Sequence, residues 1–303
     1  MTEAPPSAPP KLGVIVVNYG SHDLVEANLA GLGFGEIASS VVIVDNFTTA
    51  EESRRIAEVC ESHGWVLVQN ERNVGFGAAM NAGVGRAQDL GCTVFLLLNP
   101  DATLSEEDLA GLYERSVADP LCLLSPRIVY PDGSRWFDGG TVLVEKGRTT
   151  TAVGSDSSAS RGWLSGACLM VHDELWRLAG GFDDDYFLYW EDVDLSWRCA
   201  AVGGRVAVAH DLTAVHSVGG TQRGAGKSPT YVYYNCRNRL VFASKHLTRR
   251  QVLSWLASSG SHAYKVMLRG GRRSFLRRPA ALVAAAIGGT VVGAAKAVRA
   301  LPR

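Results

Sequence analysis

The chain has no excess of either charge: its 303 residues hold thirty Lys and Arg against thirty Asp and Glu. A balance of this kind lacks the basic field that nucleic acids select, so no nucleic-acid partner is expected. Nor is there a Cys-x-x-Cys pair, since Cys60, Cys92, Cys122, Cys168, Cys199 and Cys236 are widely scattered. With no secretory signal at the N-terminus, they are expected to be reduced, mostly structural thiols of a cytoplasmic protein. No Gly-x-Gly-x-x-Gly run with a trailing acid occurs, which sets a dinucleotide fold aside. Leu12 to Ser21 carries no basic phosphate-gripping run of the sort nucleotidyl transfer would want. Ala280 to Ala295 is free of charge but short and rich in Ala and Gly. A spanning helix needs about 20 apolar residues, so no transmembrane segment is expected there. Finally, no acid interrupts Arg249 to Arg278, where Arg249, Arg250, Lys265, Arg269, Arg272, Arg273, Arg277 and Arg278 form a local basic surplus.

What is present describes an ordinary globular chain, 47% hydrophobic and 20% charged, long enough for one large domain or a domain with an appendage. Met1 to Pro10, rich in Pro, Ala and Ser, is expected to be a disordered tail. Leu12 to Val17 and Val41 to Val44 are continuous apolar runs, the pattern of strands covered on both faces. Helical spacing over Asp23 to Leu32 and Ala50 to His63, then a strand from Trp65 to Gln69, completes a β-α-β-α-β order. That order predicts an α/β fold with a mainly parallel sheet and helices on both faces.

In such sheets ligands bind beyond the carboxyl ends of the strands, where Asn18, Asp45 and Asn70 to Asn73 fall. Asn73 to Gly83 is a glycine-rich turn running into a small-residue helix, which allows close backbone approach and offers N–H groups to an anion. Tight helix–sheet packing explains the same glycines almost as well. Thr93 to Leu98 ends in Asn99-Pro100-Asp101, which delivers a carboxylate to the ligand edge. Ser105, before Glu106, Glu107 and Asp108, is the better cap for the next helix and leaves Asp101 spare for a ligand or metal.

Pro126 to Gly154 has the turn signals of hairpins, and Ser155 to Arg161 reads as a mobile polar loop. Trp163 to Val171 is expected to be a strand with small residues at its centre, and Gly203 to Ala209 an edge strand. Thr213 to Gly220, containing His216, follows it.

Tyr186-Phe187-Leu188-Tyr189-Trp190 leads directly into Glu191-Asp192-Val193-Asp194, read as a loop opening into a helix near Asp192. Acids suit a first helical turn because its unpaired N–H groups favour negative charge. That accounts for one or two of the three. Aromatic walls in front of them exclude water and raise carboxylate proton affinity, as a general base requires.

The order of these motifs over Leu12 to Gly220 resembles the inverting glycosyltransferases of family 2, with the GT-A fold. It is carried by Val14 to Tyr19, Val44-Asp45-Asn46, Asn73 to Gly77 with Asn81, Leu98 to Asp101, Ser165-Gly166-Ala167, Gly180 to Asp183, Glu191 to Leu195 and His216. With Tyr234 to Asn238, the chain looks most like bacterial rhamnosyltransferases.

The resemblance implies a nucleoside-diphosphate-sugar donor, with Asp45 at the pyrimidine, Asn18 beside the nucleoside, and Asn73, Gly75, Asn81, Asn99 and Asp101 on the donor side. Asp101 and His216 match the metal positions, for Mn²⁺ or Mg²⁺ with diphosphate oxygens. The chain departs from the family's Asp-x-Asp pattern at Asn99, whose amide oxygen is a weaker ligand. Asp192 matches the catalytic base, with Glu191 as runner-up, and Trp190, Asp194 and Arg237 are supporting or acceptor-side groups. A thymidine-diphosphate deoxysugar, rhamnose, is the expected donor, with a uridine-diphosphate sugar second. The acceptor is a lipid-linked saccharide, a cell-wall glycan or a small molecule.

A glycosidase would want two facing carboxylates, and the local cluster of three acids does not supply them. A sugar-nucleotide-binding scaffold of the same fold is the nonenzymatic alternative. By this division residues 1–10 are a tail, 11–225 the catalytic domain, and 226–303 a basic helical region. That last region is suited to peripheral contact with the inner face of an anionic membrane, to packing on the domain, or to a homodimer.

Overall fold

The computed structural model describes residues 9–151, 160–217 and 227–301. Residues 1–8 of the expected tail, 155–159 of the expected loop, Gly219, Gly220 and the boundary at 225/226 lie outside them. Pro10 is anchored, its carbonyl accepting the Tyr113 hydroxyl at 2.5 Å.

The expected alternation opens the fold as β1 (Lys11–Asn18), α1 (His22–Leu29), β2 (Ser39–Asp45), α2 (Ala50–His63), β3 (Val66–Gln69), α3 (Phe76–Asp89) and β4 (Cys92–Leu98). After it come β5 (Ala102–Leu104), α4 (Glu106–Ala118), β6 (Cys122–Val129), β7 (Arg135–Phe137), β8 (Gly140–Leu143), β9 (Arg148–Thr150), β10 (Ser160–Trp163) and β11 (Cys168–His172). Next are α5 (Asp173–Ala179), α6 (Glu191–Ala201) and β12 (Arg205–His216). The C-terminal helices are α7 (Pro229–His246), α8 (Arg249–Ala257), α9 (Ser259–Leu268), α10 (Arg272–Arg277) and α11 (Pro279–Arg299).

The main sheet runs β3-β2-β1-β4-β11-β6-β12-β5, with β7 paired on β6. Strands β1 to β4 are parallel, and β11 enters antiparallel beside β4, so the sheet is mixed. The apolar runs explain the order, because β1, β2 and β4 are buried almost throughout and can lie only between covered faces. Register sets Asn18 opposite Asp45 and Val16 opposite Leu98, so three strands end together at one rim. Helix α3 closes on this half through Gly83, where a Cβ would collide with Ile15 and Val44.

Two expectations are corrected. The run from Trp163 to Val171 is two strands, since Leu164 to Ala167 breaks it and β10 belongs to a separate sheet, β10-β8-β9. Ser160 and Arg161 therefore begin a strand rather than end a loop. The expected edge strand Gly203 to Ala209 is the first part of β12, where Arg205 to Ala209 pair only with β6, and β12 then runs on to His216. The three-residue β5, too short to show a period, pairs with the far end of β12 at Ala214 to His216.

Helix α7 shares a core with α6: Trp190, Val193 and Trp197 pack with Leu240, Phe242 and Trp255. Arg239, 1% exposed, donates to the carbonyls of Gly147 and Trp255 at 2.6 and 2.9 Å and lies over the Trp255 ring. Burial pulls its pKa down to about 10, so it stays charged at neutral pH. Helix α11 lies against α7 through Gly289 and Gly293, where added Cβ atoms would strike the carbonyls of Tyr233 and Arg237.

Candidate active site

At the rim of β1 and β2 the buried Asn18 donates to Glu52 Oε1 at 3.1 Å and to Asp45 Oδ1 at 3.4 Å. Its Oδ1 accepts from the Ser21 amide and hydroxyl. Asn18 thus orients Asp45, whose Oδ2 is buried without a partner among the described residues. An acceptor left open in this way suits the N–H of a pyrimidine. Asn46 bridges onward, donating to Asn73 Oδ1 at 3.0 Å and accepting from the Val74 amide at 3.0 Å. Asn73 in turn accepts the Gly75 amide. Gly75 has φ +92°, and a Cβ there would run into the Phe187 carbonyl, which is bonded by the Phe76 amide at 3.0 Å. The start of α3 and the aromatic loop are thereby locked together.

Beyond β4, Asp101 and His216 meet from 115 residues apart, with Nε2 2.9 Å from Oδ1. Both are 6% exposed, and the His216 ring sits 4.4 Å from Trp136. His216 Nδ1 has no partner among the described residues. One imidazole and one carboxylate fit a Mn²⁺ or Mg²⁺ whose remaining ligands come from outside the protein. Among the described residues no group of three or more His, Cys, Asp or Glu side chains is gathered to hold a metal alone. Two protein ligands plus diphosphate oxygens are therefore what this donor set suits.

The Asn99 amide donates to Ala167 O at 2.9 Å, and the neighbouring Gly166 amide donates to Asp192 Oδ2 at 3.1 Å. This pair of turns joins the Asp101 corner to the start of α6. Asp192 Oδ1 also accepts its neighbour Val193's amide at 2.8 Å. Burial pushes the Asp192 carboxyl up to about 6, against the pull of those N–H donors. Glu191 is pushed well above the carboxylate range, first by burial and then by the charge of Asp192. Its Oε2 has no partner among the described residues, as suits a protonated acid. Burial raises both carboxyls and the charge of Asp192 raises Glu191 further, so of the pair Asp192 gives up its proton more readily. Asp192 is the available proton acceptor.

A scan of family models matches residues 13–158 to Glycosyl transferase family 2. The chain carries a family 2 glycosyltransferase domain. It is 29% identical over 220 residues to the N-acetylglucosaminyl-diphospho-decaprenol L-rhamnosyltransferase of Mycobacterium tuberculosis, covering 63% of this chain and 71% of that one. It is 24% identical over 219 residues to the dTDP-rhamnosyl transferase RfbF of Shigella flexneri, covering 68% and 71%. Among solved structures it superposes on the mannosyltransferase PcManGT of Pyrobaculum calidifontis, solved with GDP-Man and Mn²⁺. The TM-score is 0.57 at 18% identity, covering 95% of this chain and 88% of that one. The expected GT-A fold is the fold observed.

Not every residue singled out in this glycosyltransferase faces the opening. Asn81 spends its amide on the backbone of Phe182, donating and accepting at 2.8 Å, and so shapes the Gly180–Phe182 turn. Asp194 is fully buried. Burial alone would raise its pKa, but His246 at 2.6 Å and Arg198 at 2.7 Å outweigh that and hold it below the usual value. Trp190 turns its ring onto Phe242 and Trp255. Arg237 donates to the Asp185 carbonyl at 2.8 Å and to the Asn238 side chain.

The sequence reading passed over Glu52, which fixes Asn18 and lies 2.7 Å from His22. In a run of helix-start acids nothing marks it as the one that turns inward. Trp136 beside His216 was likewise passed over. Asn238, which with Arg237 was a candidate to meet donor phosphate or acceptor, instead donates its amide to the carbonyls of Leu188 and Tyr189 at 3.0 and 2.7 Å. It thereby holds Tyr189 and Trp190 at φ +66° and +75°, a left-handed pair that side chains with a Cβ resist.

Proposed function

We propose that this glycosyltransferase moves a deoxyhexose, rhamnose, from a thymidine-diphosphate donor to a hydroxyl of a lipid-linked saccharide, with inversion at the anomeric carbon. The observation that carries this reading is the split between Glu191 and Asp192, which leaves one charged, partly open carboxylate fixed by two backbone donors. Asp192 takes the acceptor proton as the acceptor oxygen attacks the anomeric carbon and the nucleoside diphosphate leaves from the opposite face. Neutral Glu191 keeps a second negative charge away from the attacking oxygen. Asn18 and Asp45 hold the base, and the turn from Asn73 to Gly75 brings backbone close to the donor. Asp101 and His216 would hold the divalent cation, which when bound supplies positive charge against the leaving diphosphate.

The names of the two rhamnosyltransferase relatives support the donor and acceptor class. The test is turnover of dTDP-rhamnose and a panel of uridine- and guanosine-diphosphate sugars with a polyprenyl-diphosphate-linked acceptor, with product anomers assigned by NMR. Inverted product from dTDP-rhamnose alone is expected. Selective use of a UDP-sugar would replace the donor assignment, and retained configuration would remove the single-displacement mechanism.

A further inference from the structure

Charge in this molecule is divided along the chain. No Asp or Glu occurs in residues 212–303, which hold sixteen Lys and Arg, so all thirty acids lie in the first 211 residues. Within that acid-free region α11 is apolar on every side, yet only 28% of its most apolar stretch is buried. A helix apolar all round is normally buried all round. Here the inward side, Leu282, Ala286, Gly289, Gly293 and Ala297, is consumed by packing. The outward side leaves Val283, Ile287, Val291 and Val298 at 37, 60, 61 and 56% exposure. An apolar groove of about 250 Å³ between α9 and α11 widens the same face, lined by Ala263, Met267, Ile287 and Val291 among others.

Immediately before this helix, α10 exposes Leu276 at 72%, with Arg272 and Arg273 one turn back on the same side. Arg277 and Arg278 are exposed too, and none of the four forms an ion pair among the described residues. Arg277 and Arg278 stand at the junction of the C-terminal end of α10, where the helix dipole favours positive charge, and the N-terminal end of α11, where it does not.

We infer that α10 and α11 form a docking surface for an anionic phospholipid bilayer, with Leu276, Ile287 and Val291 entering the interface and the arginines meeting lipid phosphates. Charge decides the occupant. Two copies meeting through this region bring only positive groups together, whereas an anionic leaflet complements every one of them. The helix lies on the bilayer rather than crossing it, because its inner face is closed against α7 and Lys296 is paired with Asp185 of the aromatic loop. This inference is independent of the donor and acceptor assigned above, since its readout involves no turnover.

The experiment is co-sedimentation of the full chain with vesicles of phosphatidylcholine alone or with about one third phosphatidylglycerol. Binding to the anionic vesicles only, weakened by high salt, is expected. Arg272→Gln and Arg273→Gln should each lower the partition coefficient about 5-fold, the factor for one basic group near such a surface. Ile287→Glu with Val291→Glu should abolish binding while leaving Tm within a few degrees of the parent, because both side chains are exposed. If that pair does not fold, the two Arg→Gln variants carry the test. No binding at low salt, or binding that neither set of substitutions lowers, overturns the inference. So does a dimer that Ile287→Glu disperses in the absence of vesicles. Protein that resists alkaline carbonate extraction would be spanning, and overturns it as well.

Discussion

Glu191 and Asp192 are consecutive carboxylates at the start of one helix, and only Asp192 is held by backbone N–H groups from two directions, Gly166 and Val193. The difference favours Asp192 over Glu191 for the proposed role of proton acceptor, the same order in which the family resemblance ranks them.

Replacing Asp192 with Asn should lower kcat about 10²–10⁴-fold, the loss typical of a positioned base. Glu191→Gln, isosteric with the protonated acid, should cost far less. The check is steady-state kinetics on both variants. Turnover retained in Asp192→Asn and lost in Glu191→Gln would reverse the roles.

Protonating Asp192 removes the base, so kcat/KM should fall as pH drops through about 6. Stability runs the other way. The folded pKa is raised, so the native state binds the extra proton between about pH 4 and 6, and stability declines as pH rises through that window. Asp192→Asn removes this penalty and should raise Tm by a few degrees at pH 8 but little at pH 4. An Asp192→Asn variant no more stable than the parent at pH 8 would show that the carboxyl is not destabilised by burial.

Asp101→Ala and His216→Ala each remove one of the paired side chains beyond β4. With thymidine diphosphate, each should lose the part of the thermal shift that depends on Mn²⁺ while keeping the metal-free part. A ligand at about 100 times its Kd adds roughly 2.7 kcal/mol, which is readable as several degrees. Unchanged metal dependence in both variants would move the cation elsewhere.

Gly75→Ala combines φ +92° with a collision against the Phe187 carbonyl, a backbone atom that cannot swing aside. A cost of about 2–4 kcal/mol in unfolding free energy is expected, together with loss of nucleotide binding. Denaturant titration measures the first and the thermal shift the second.

Asn238→Ala withdraws two donors from the Leu188 and Tyr189 carbonyls and releases the left-handed turn before Glu191. Two unpaired carbonyls should cost about 2–4 kcal/mol of stability. A positioning role predicts a fall in kcat, with the apparent pKa of the profile shifted and nucleotide affinity kept. A variant altered only in Tm would leave Asn238 as packing alone.

The parallel half of the sheet was legible because buried parallel strands leave continuous apolar runs, and their polar ends then mark the rim. Asp101 and the Glu191–Asp194 run stood out as charge placed against apolar or aromatic surroundings, whereas His216, a lone histidine, was singled out only through the family resemblance. Other features leave no such trace. The break at Leu164 to Ala167 separates two sheets without a proline or a charge, and β5 is shorter than any period. Glu52 turns inward from a helix start where acids are ordinary. Asn238 acts on carbonyls fifty residues away, a relation fixed by how α7 lies against the aromatic loop and by nothing near Asn238 itself.

The glycine contacts of α11 leave no play in the machine. Gly293 seats the helix directly on the Arg237 carbonyl, and the next residue along α7 is the Asn238 that grips the turn leading into Glu191 and Asp192. With no side chain interposed, α11 and α7 form a single strut that ends on the turn leading into Glu191 and Asp192.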